Sequence, residues 1–455
     1  MKKLLSGNEA LARGALEARI EIACGYPGTP SSEILENVSK YKEIYSEWSV
    51  NEKVAMDAAA GAAYSGRRAL VTTKQVGMNV MSDSLFYTAY TGAEAALVVV
   101  TADDPGLFSS QNEQDNRHYA KLGKFPMLEP CDSQECKDFM IEAVDMSERF
   151  DTPVVIRTTM RTSHSKSVVE LGAPGSYGRE VGPFPRNIEK YNSMCTWARK
   201  RHYILEQRLL DIEEWSNTWP GNRIEWGDRE YGFIAGGIIY EYVKQVFPEA
   251  SILKLGMCYP LPKKLIREFA DGVRNVIVVE ELDPFIEEQV RAMGIPARGK
   301  DIFSICGELL PEGCGAGVVA QTRDEGHVAA QACGRDGLVG PFAAVGLHEA
   351  RLADGLARAG QVFDAGNHVD VGTAYYQNLV HVRLSLVNFC RFFALRGPDA
   401  AQPRGDAVFR FSGRPPIVPD AVSCRFAPVV FIGCLCRIRF LWGLWQMFGF
   451  RMLSF

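Results

Sequence analysis

Along the first 160 residues, apolar positions fall into two spacings that alternate down the chain. From Gly7 to Arg19 they recur every three or four residues, the period of a helix with one buried face. Short β-branched runs then appear at Leu70 to Thr73, Ala95 to Thr101 and Pro153 to Thr158, each bounded by turn signals. Helical spacing returns between them, at Asn79 to Tyr90 and Gln134 to Glu148. This alternation predicts an α/β unit over residues 1–165, with a parallel sheet covered on both faces. The pattern loosens over residues 166–229, read as a connection with one helix-like stretch around Trp197 to Trp215. A second α/β unit is predicted over residues 230–311. Its strands are Tyr231 to Ala235, Ser251 to Leu255 and Asn275 to Glu280, and its helices Gly237 to Val246 and Lys263 to Ala270.

Three stretches carry candidate chemistry. The run Ile20 to Ala23 ends in Cys24-Gly-Tyr-Pro-Gly-Thr-Pro-Ser-Ser32, and helical spacing resumes at Glu33-Ile-Leu-Glu-Asn-Val38. Such a strand, tight loop and helix start suits a carboxylate or phosphate, because backbone N–H groups point outward there. It equally suits an ordinary turn capped by Ser31 or Ser32. The second stretch is Glu52, which opens a segment of Ala and Gly from Ala55 to Ala63. A carboxylate beside so small a surface, open to a backbone or a flat ring, is a candidate for partial burial, protonated or met by a donor. The third is the polar stretch Asp103 to Tyr119, at the carboxyl end of a strand, where parallel sheets place their ligands. Most of it reads as a solvated loop, and Glu280, Glu281 and Asp283 read as a solvated strand end.

Several motifs in order add a resemblance. Gly7-Asn-Glu-Ala, Gly25-Tyr-Pro-Gly-Thr-Pro-Ser-Ser32, Asn51-Glu-Lys-Val, Thr72-Thr-Lys-Gln-Val-Gly-Met-Asn79 and Ser109-Ser-Gln-Asn-Glu-Gln-Asp-Asn-Arg-His-Tyr-Ala-Lys121 carry it. Residues 1 to about 311 resemble the alpha subunit of indolepyruvate:ferredoxin oxidoreductase, among the thiamine-diphosphate-dependent 2-oxoacid:ferredoxin oxidoreductases. The resemblance implies a thiamine-diphosphate-binding, pyrimidine-domain fold followed by a transketolase C-terminal-like domain. It implies that Glu52 holds the aminopyrimidine ring and helps activate the thiazolium carbon, that Gly28, Thr29 and Gly77 line the cofactor, and that Thr29 and Arg117 hold the substrate. A guanidinium suits a 2-oxoacid because it grips a carboxylate in a bidentate way; His118, beside it, reads as a packed or surface residue. The implied reaction is oxidative decarboxylation of aryl 2-oxoacids such as indolepyruvate to the acyl-coenzyme A. Ferredoxin takes the electrons, a beta subunit is the partner, and magnesium and 4Fe-4S clusters accompany the thiamine diphosphate.

Composition bounds these readings. A net charge of −5 gives no basic footprint, so nucleic acid is not an expected partner. The N-terminus lacks the apolar core of a signal peptide, and the chain is read as cytoplasmic, with its twelve Cys as thiols. None of those Cys shows metal-site spacing. Past residue 311 the family pattern should continue with a Gly-Asp-Gly motif for magnesium and diphosphate, then cluster-spaced cysteines, and neither occurs. Residues 1–300 hold 17 Lys, whereas residues 301–455 hold none against 14 Arg. The apolar runs Ala427 to Cys436 and Phe440 to Phe450 are too short to span a bilayer, so no membrane is expected. The tail, 312–455, is therefore read as frame-shifted and disordered, ending a protease-stable core near residues 300–315, with a lineage-specific extension as the alternative. On that reading the chain is incomplete and inactive, and a non-catalytic interaction subunit is the rival to an enzyme.

Overall fold

The structure is a computed structural model, and it describes residues 1–173 and 182–315. The expectations for residues 316–455 lie outside the described residues.

The chain opens with β1 (Lys2–Ser6) and α1 (Gly7–Glu17). Ser6 Oγ accepts from the Glu9 N–H at 3.2 Å and the Glu9 carboxylate accepts from the Ser6 N–H at 2.8 Å, so two otherwise orphaned donors are satisfied reciprocally. Alternation then sets in: β2 (Ile22–Gly25), α2 (Ser32–Val38), β3 (Tyr45–Trp48), α3 (Glu52–Tyr64), β4 (Ala69–Lys74), α4 (Gln75–Thr91) and β5 (Leu97–Asp103). It continues through α5 (Arg117–Gly123), β6 (Met127–Leu128), α6 (Ser133–Phe150), β7 (Val154–Thr159), α7 (Met160–His164) and β8 (Lys166–Glu170). After α8 (Ile188–Tyr191), α9 (Cys195–Ser216) and β9 (Arg223–Glu225), a second module is built. It comprises β10 (Asp228–Gly236), α10 (Gly237–Val246), β11 (Ala250–Leu255), β12 (Met257–Tyr259), α11 (Lys263–Asp271), β13 (Asn275–Val279), α12 (Phe285–Ala292) and β14 (Ala297–Arg298).

The first sheet has the order β12-β6-β7-β5-β4-β2-β3, parallel except where β12 meets β6. Period-two alternation along β5 assigns its side chains to two cores. Val98 and Val100 join Leu70, Val154 and Ile156 beneath α1, α2 and α6, while Leu97 and Val99 join Val71 and Val155 beneath α3 and α4. The second sheet, β14-β13-β10-β11-β9, repeats the arrangement with Phe233 and Ala235 on one face and Ile234 on the other.

Two features depart from the boundaries expected from sequence. β8 pairs with β1 from Lys2↔Glu170 to Ser6↔Lys166, which carries the first module past residue 165. β12 comes from the second module yet hydrogen-bonds to β6 at the edge of the first sheet, so the two modules share a sheet. Short edge strands of this kind carry too few residues to show a hydrophobic period.

The topology also says where a ligand belongs. The chain leaves β2 outward to β3 and then crosses back to β4 on the other side, so the carboxyl ends of β2 and β4 flank a topological switch point, the place where parallel sheets of this kind hold a ligand crevice.

Candidate functional site

Three segments converge on that crevice. The loop after β2 is tied to itself: the Gly28 N–H donates to Ser32 Oγ at 2.7 Å, and the Ser31 hydroxyl and N–H both donate to Gly28 O. Thr29 stands exposed at its tip. From the other side come the last residues of β4 and the first turns of α4. The third segment is the start of α3, where Asn51, extended at φ −164°, caps the helix through Oδ1 accepting from the Val54 N–H at 2.9 Å. The cap fixes the next residue, Glu52, as the first of the helix.

Glu52 and Gly77 meet there. A Cβ built on Gly77 would lie 2.5 Å from Glu52 Oε1 and 2.1 Å from Thr73 Oγ1, so only glycine lets the carboxylate lie on the α4 backbone. Glu52 is half-buried, and among the described residues its carboxylate makes no hydrogen bond or ion pair. Ser49 Oγ and Thr72 Oγ1 are also buried without partners, the latter on the other face of the sheet, 2.6 Å from a Cβ built on Gly25. Buried polar groups are normally satisfied. An unpaired carboxylate on a glycine floor fits a flat, polar-edged ring such as an aminopyrimidine.

Gly28 packs on the stem of Lys74: a Cβ there would lie 2.8 Å from Lys74 Cβ. The Lys74 ammonium donates to Ser109 O, and burial lowers its pKa, with Asp104 opposing. Gln75 then straps the polar loop to the site, donating to Asn112 O at 2.6 Å and accepting from the Asp104 N–H at 2.8 Å. Asp104 in turn accepts from Phe108 N–H, Ser109 N–H and the Ser110 hydroxyl. The loop is thus solvated only at its middle.

Arg117 is seated otherwise than expected for a residue gripping substrate. It is 2% exposed, and its guanidinium is occupied: Nε and Nη2 by Asp115, Nη1 by Glu280 at 2.6 Å, and Nη2 also by the carbonyls of Glu281 and Asp283. His118 lies outside this cluster, half-exposed and 2.9 Å from Asp283. The expectation of a solvated strand end at Glu280 and Glu281 is corrected too. Both are buried; Glu280 accepts from the N–H groups of Ile286 and Glu287, and Glu281 from that of Leu309 at 3.1 Å. Arg157 extends the cluster, bonding Asp103 at 2.7 Å and Glu129. Burial pushes Asp103 up to about 6 and Glu281 to about 7. Burial is also the largest single influence on Asp115 and would raise it, but the charge and hydrogen bonds of Arg117 together with the Arg157 charge outweigh it and hold Asp115 at about 2. The sequence placed Arg117 in the right loop beside Asp115; its other partners, Glu280, Glu281 and Asp283, lie more than 160 residues away, beyond local reading.

The geometry so far defines a class: a parallel α/β module with a carboxylate-lined crevice at its switch point. Residues 13–192 match the family described as pyruvate flavodoxin/ferredoxin oxidoreductase, thiamine diphosphate-binding. The segment matched is similar to that of the IorA, or alpha, subunit of 2-oxoacid:ferredoxin oxidoreductases. It is 44% identical over 305 residues to indolepyruvate oxidoreductase subunit IorA of Archaeoglobus fulgidus, covering 65% of this chain and 49% of that one. The corresponding subunit of Methanothermobacter thermautotrophicus is 44% identical over 321 residues, covering 68% and 52%. The chain therefore spans about half the length of the curated relatives it matches. A 2-oxoglutarate:ferredoxin oxidoreductase structure from Magnetococcus marinus shares the fold at 17% identity, with a TM-score of 0.59 over 70% of this chain and 65% of that one.

Proposed function

We propose that the first module supplies the pyrimidine side of a thiamine diphosphate site in an oxidoreductase that decarboxylates aryl 2-oxoacids, with indolepyruvate as the leading substrate. On this reading the acyl group passes to coenzyme A, electrons pass to ferredoxin, and a beta subunit and magnesium complete the enzyme. The observation that carries the proposal is the unpaired Glu52 carboxylate lying against Gly77. When bound, thiamine diphosphate supplies the electron sink for decarboxylation.

What this chain adds is placement and a proton. Glu52 holds a proton toward a ring nitrogen, and its half-burial strengthens that bond, since screening by water is reduced. Gly77 keeps the floor flat, while Gly28 and Thr29 form the opposite wall and Thr29 offers a hydroxyl to the substrate. Arg117 acts at one remove in this proposal, anchoring the start of α5 and the end of the polar loop that Gln75 ties to the crevice.

The test is calorimetric titration of the full chain with thiamine diphosphate and magnesium. The wild type is expected to bind, and Glu52→Gln to bind at least roughly tenfold more weakly, a loss of about 1.4 kcal/mol. No binding by the wild type would leave the interaction-subunit reading in place of the enzyme.

A further inference from the structure

The crevice needs a positive charge if its substrate is a 2-oxoacid, and the arginine expected to supply it is consumed inside the protein. Around the carboxyl edge of the first sheet, other cations are likewise committed to carboxylates. Arg157 is bound to Asp103 and Glu129, Arg161 to Glu308, Lys53 to Asp83, and the His164 ring lies 3.7 Å from Glu33. Lys74 differs. It ends β4 on the flank of the switch point, its stem lies under Gly28 of the Thr29 loop, and two residues separate it from Gly77, on which Glu52 rests. Among the described residues its ammonium makes no ion pair and has the Ser109 carbonyl as its hydrogen-bond partner. Asp104 attracts it but is held by the Phe108 and Ser109 amides and the Ser110 hydroxyl.

An ammonium has three N–H donors and one is used, so two remain for a ligand. We propose that Lys74 is the substrate-carboxylate ligand of this crevice, pairing as a point charge with the carboxylate of a 2-oxoacid while the Thr29 hydroxyl meets the same substrate. This deepens the function proposed above and rests on it. Because a lysine does not impose the planar fork of an arginine, it fixes the charge and leaves the acid free to turn. The aryl group is then oriented by other walls of the crevice.

The test uses the full chain with thiamine diphosphate and magnesium, titrated with indolepyruvate and with tryptophol, an indole alcohol that lacks the carboxylate. In K74M the methylene stem beneath Gly28 is kept and the charge removed. It is expected to weaken indolepyruvate binding at least roughly tenfold while leaving tryptophol and thiamine diphosphate affinities within about twofold, and K74R to recover part of the loss. Indolepyruvate binding in K74M within about twofold of wild type, or none by the wild type once thiamine diphosphate is bound, overturns the assignment. Failure to bind thiamine diphosphate instead removes the cofactor reading, and a Lys74-dependent affinity for indolepyruvate would then stand without it.

Discussion

Two charged regions lie on the same sheet and are built on opposite principles. At the switch point, Glu52 and Lys74 are partly solvated and lack carboxylate or cation partners among the described residues. At the junction of the two modules, Arg117 and Arg157 are sealed among Asp103, Asp115, Glu129, Glu280 and Glu281. A buried charge left without its partner is costly, and at the junction Arg117 and Arg157 are each paired with carboxylates, although Asp103 Oδ1 and Arg157 Nη2 are buried without a hydrogen bond of their own. Open, unspent charges are what a ligand recognises. The contrast teaches that charge in a family-like motif is not by itself a site; the state of its partners decides.

The sharpest way to break the comparison is at the junction. Arg117→Met removes the cation that Asp115 and Glu280 face and leaves two carboxylates unpaired inside the protein. The expected cost is about 3–5 kcal/mol of stability, read by denaturant unfolding. A loss confined to substrate affinity, with stability unchanged, would return Arg117 to the substrate.

Next in size is a pH effect. Glu281 at about 7 and Asp103 at about 6 keep protons in the folded protein that the unfolded chain, with ordinary carboxylates, has released. Stability from these groups is therefore full below about pH 4 and is lost as pH rises toward 7. Asp115, at about 2, acts in the opposite direction but only below that window. Glu281→Gln keeps an oxygen for the Leu309 N–H and removes the titration, so it should flatten the decline by on the order of 2 kcal/mol. An unchanged slope would place the buried proton elsewhere.

The sequence made the first module legible because its cores are continuous. Predicted Leu70 to Thr73 lies within β4, predicted Pro153 to Thr158 is shifted one residue from β7, and Gly237 to Val246 is α10 itself. The partial burial of Glu52 was legible for a local reason, since it opens a helix that carries only small side chains, Ala and Gly, from Ala58 to Ala63. Lys74 sat in a quoted motif without a role, because its isolation is a fact about absent partners that no spacing encodes. Glu280 and Glu281 were misread for the complementary reason. A local rule about like charges at a strand end does not see an arginine arriving from another module.

At the open region the effects should fall on binding. Gly77→Ala would place a methyl 2.5 Å from Glu52 Oε1, too close for any carbon, so Glu52 must move off the α4 backbone. Thiamine diphosphate affinity is expected to drop roughly tenfold, about 1.4 kcal/mol. Unfolding should change less than in Arg117→Met, because Glu52 has partial access to water into which it can turn and the buried Thr73 hydroxyl, 2.1 Å from the new methyl, carries no charge and can rotate away.

The smallest effect is the most discriminating, since it touches the site without touching any group that would contact a ligand. Asn51 Oδ1 satisfies the Val54 N–H and so fixes where α3 begins. Asn51→Ala removes one cap, at a cost of about 1 kcal/mol in helix stability. At the junction a change of that size would be lost in the buried network. At the crevice it frays the turn that holds Glu52 against Gly77, and the carboxylate then spends part of its time displaced. Thermal unfolding should therefore shift by only a few degrees, while thiamine diphosphate affinity falls in the same direction as in Glu52→Gln, though less far. Asn51→Asp, which keeps the cap, should restore stability; if it also restores affinity, Glu52 acts through its placement at the helix start. If Asn51→Ala leaves affinity intact while the helix frays, Glu52 is not held by its cap, and the glycine floor alone positions it.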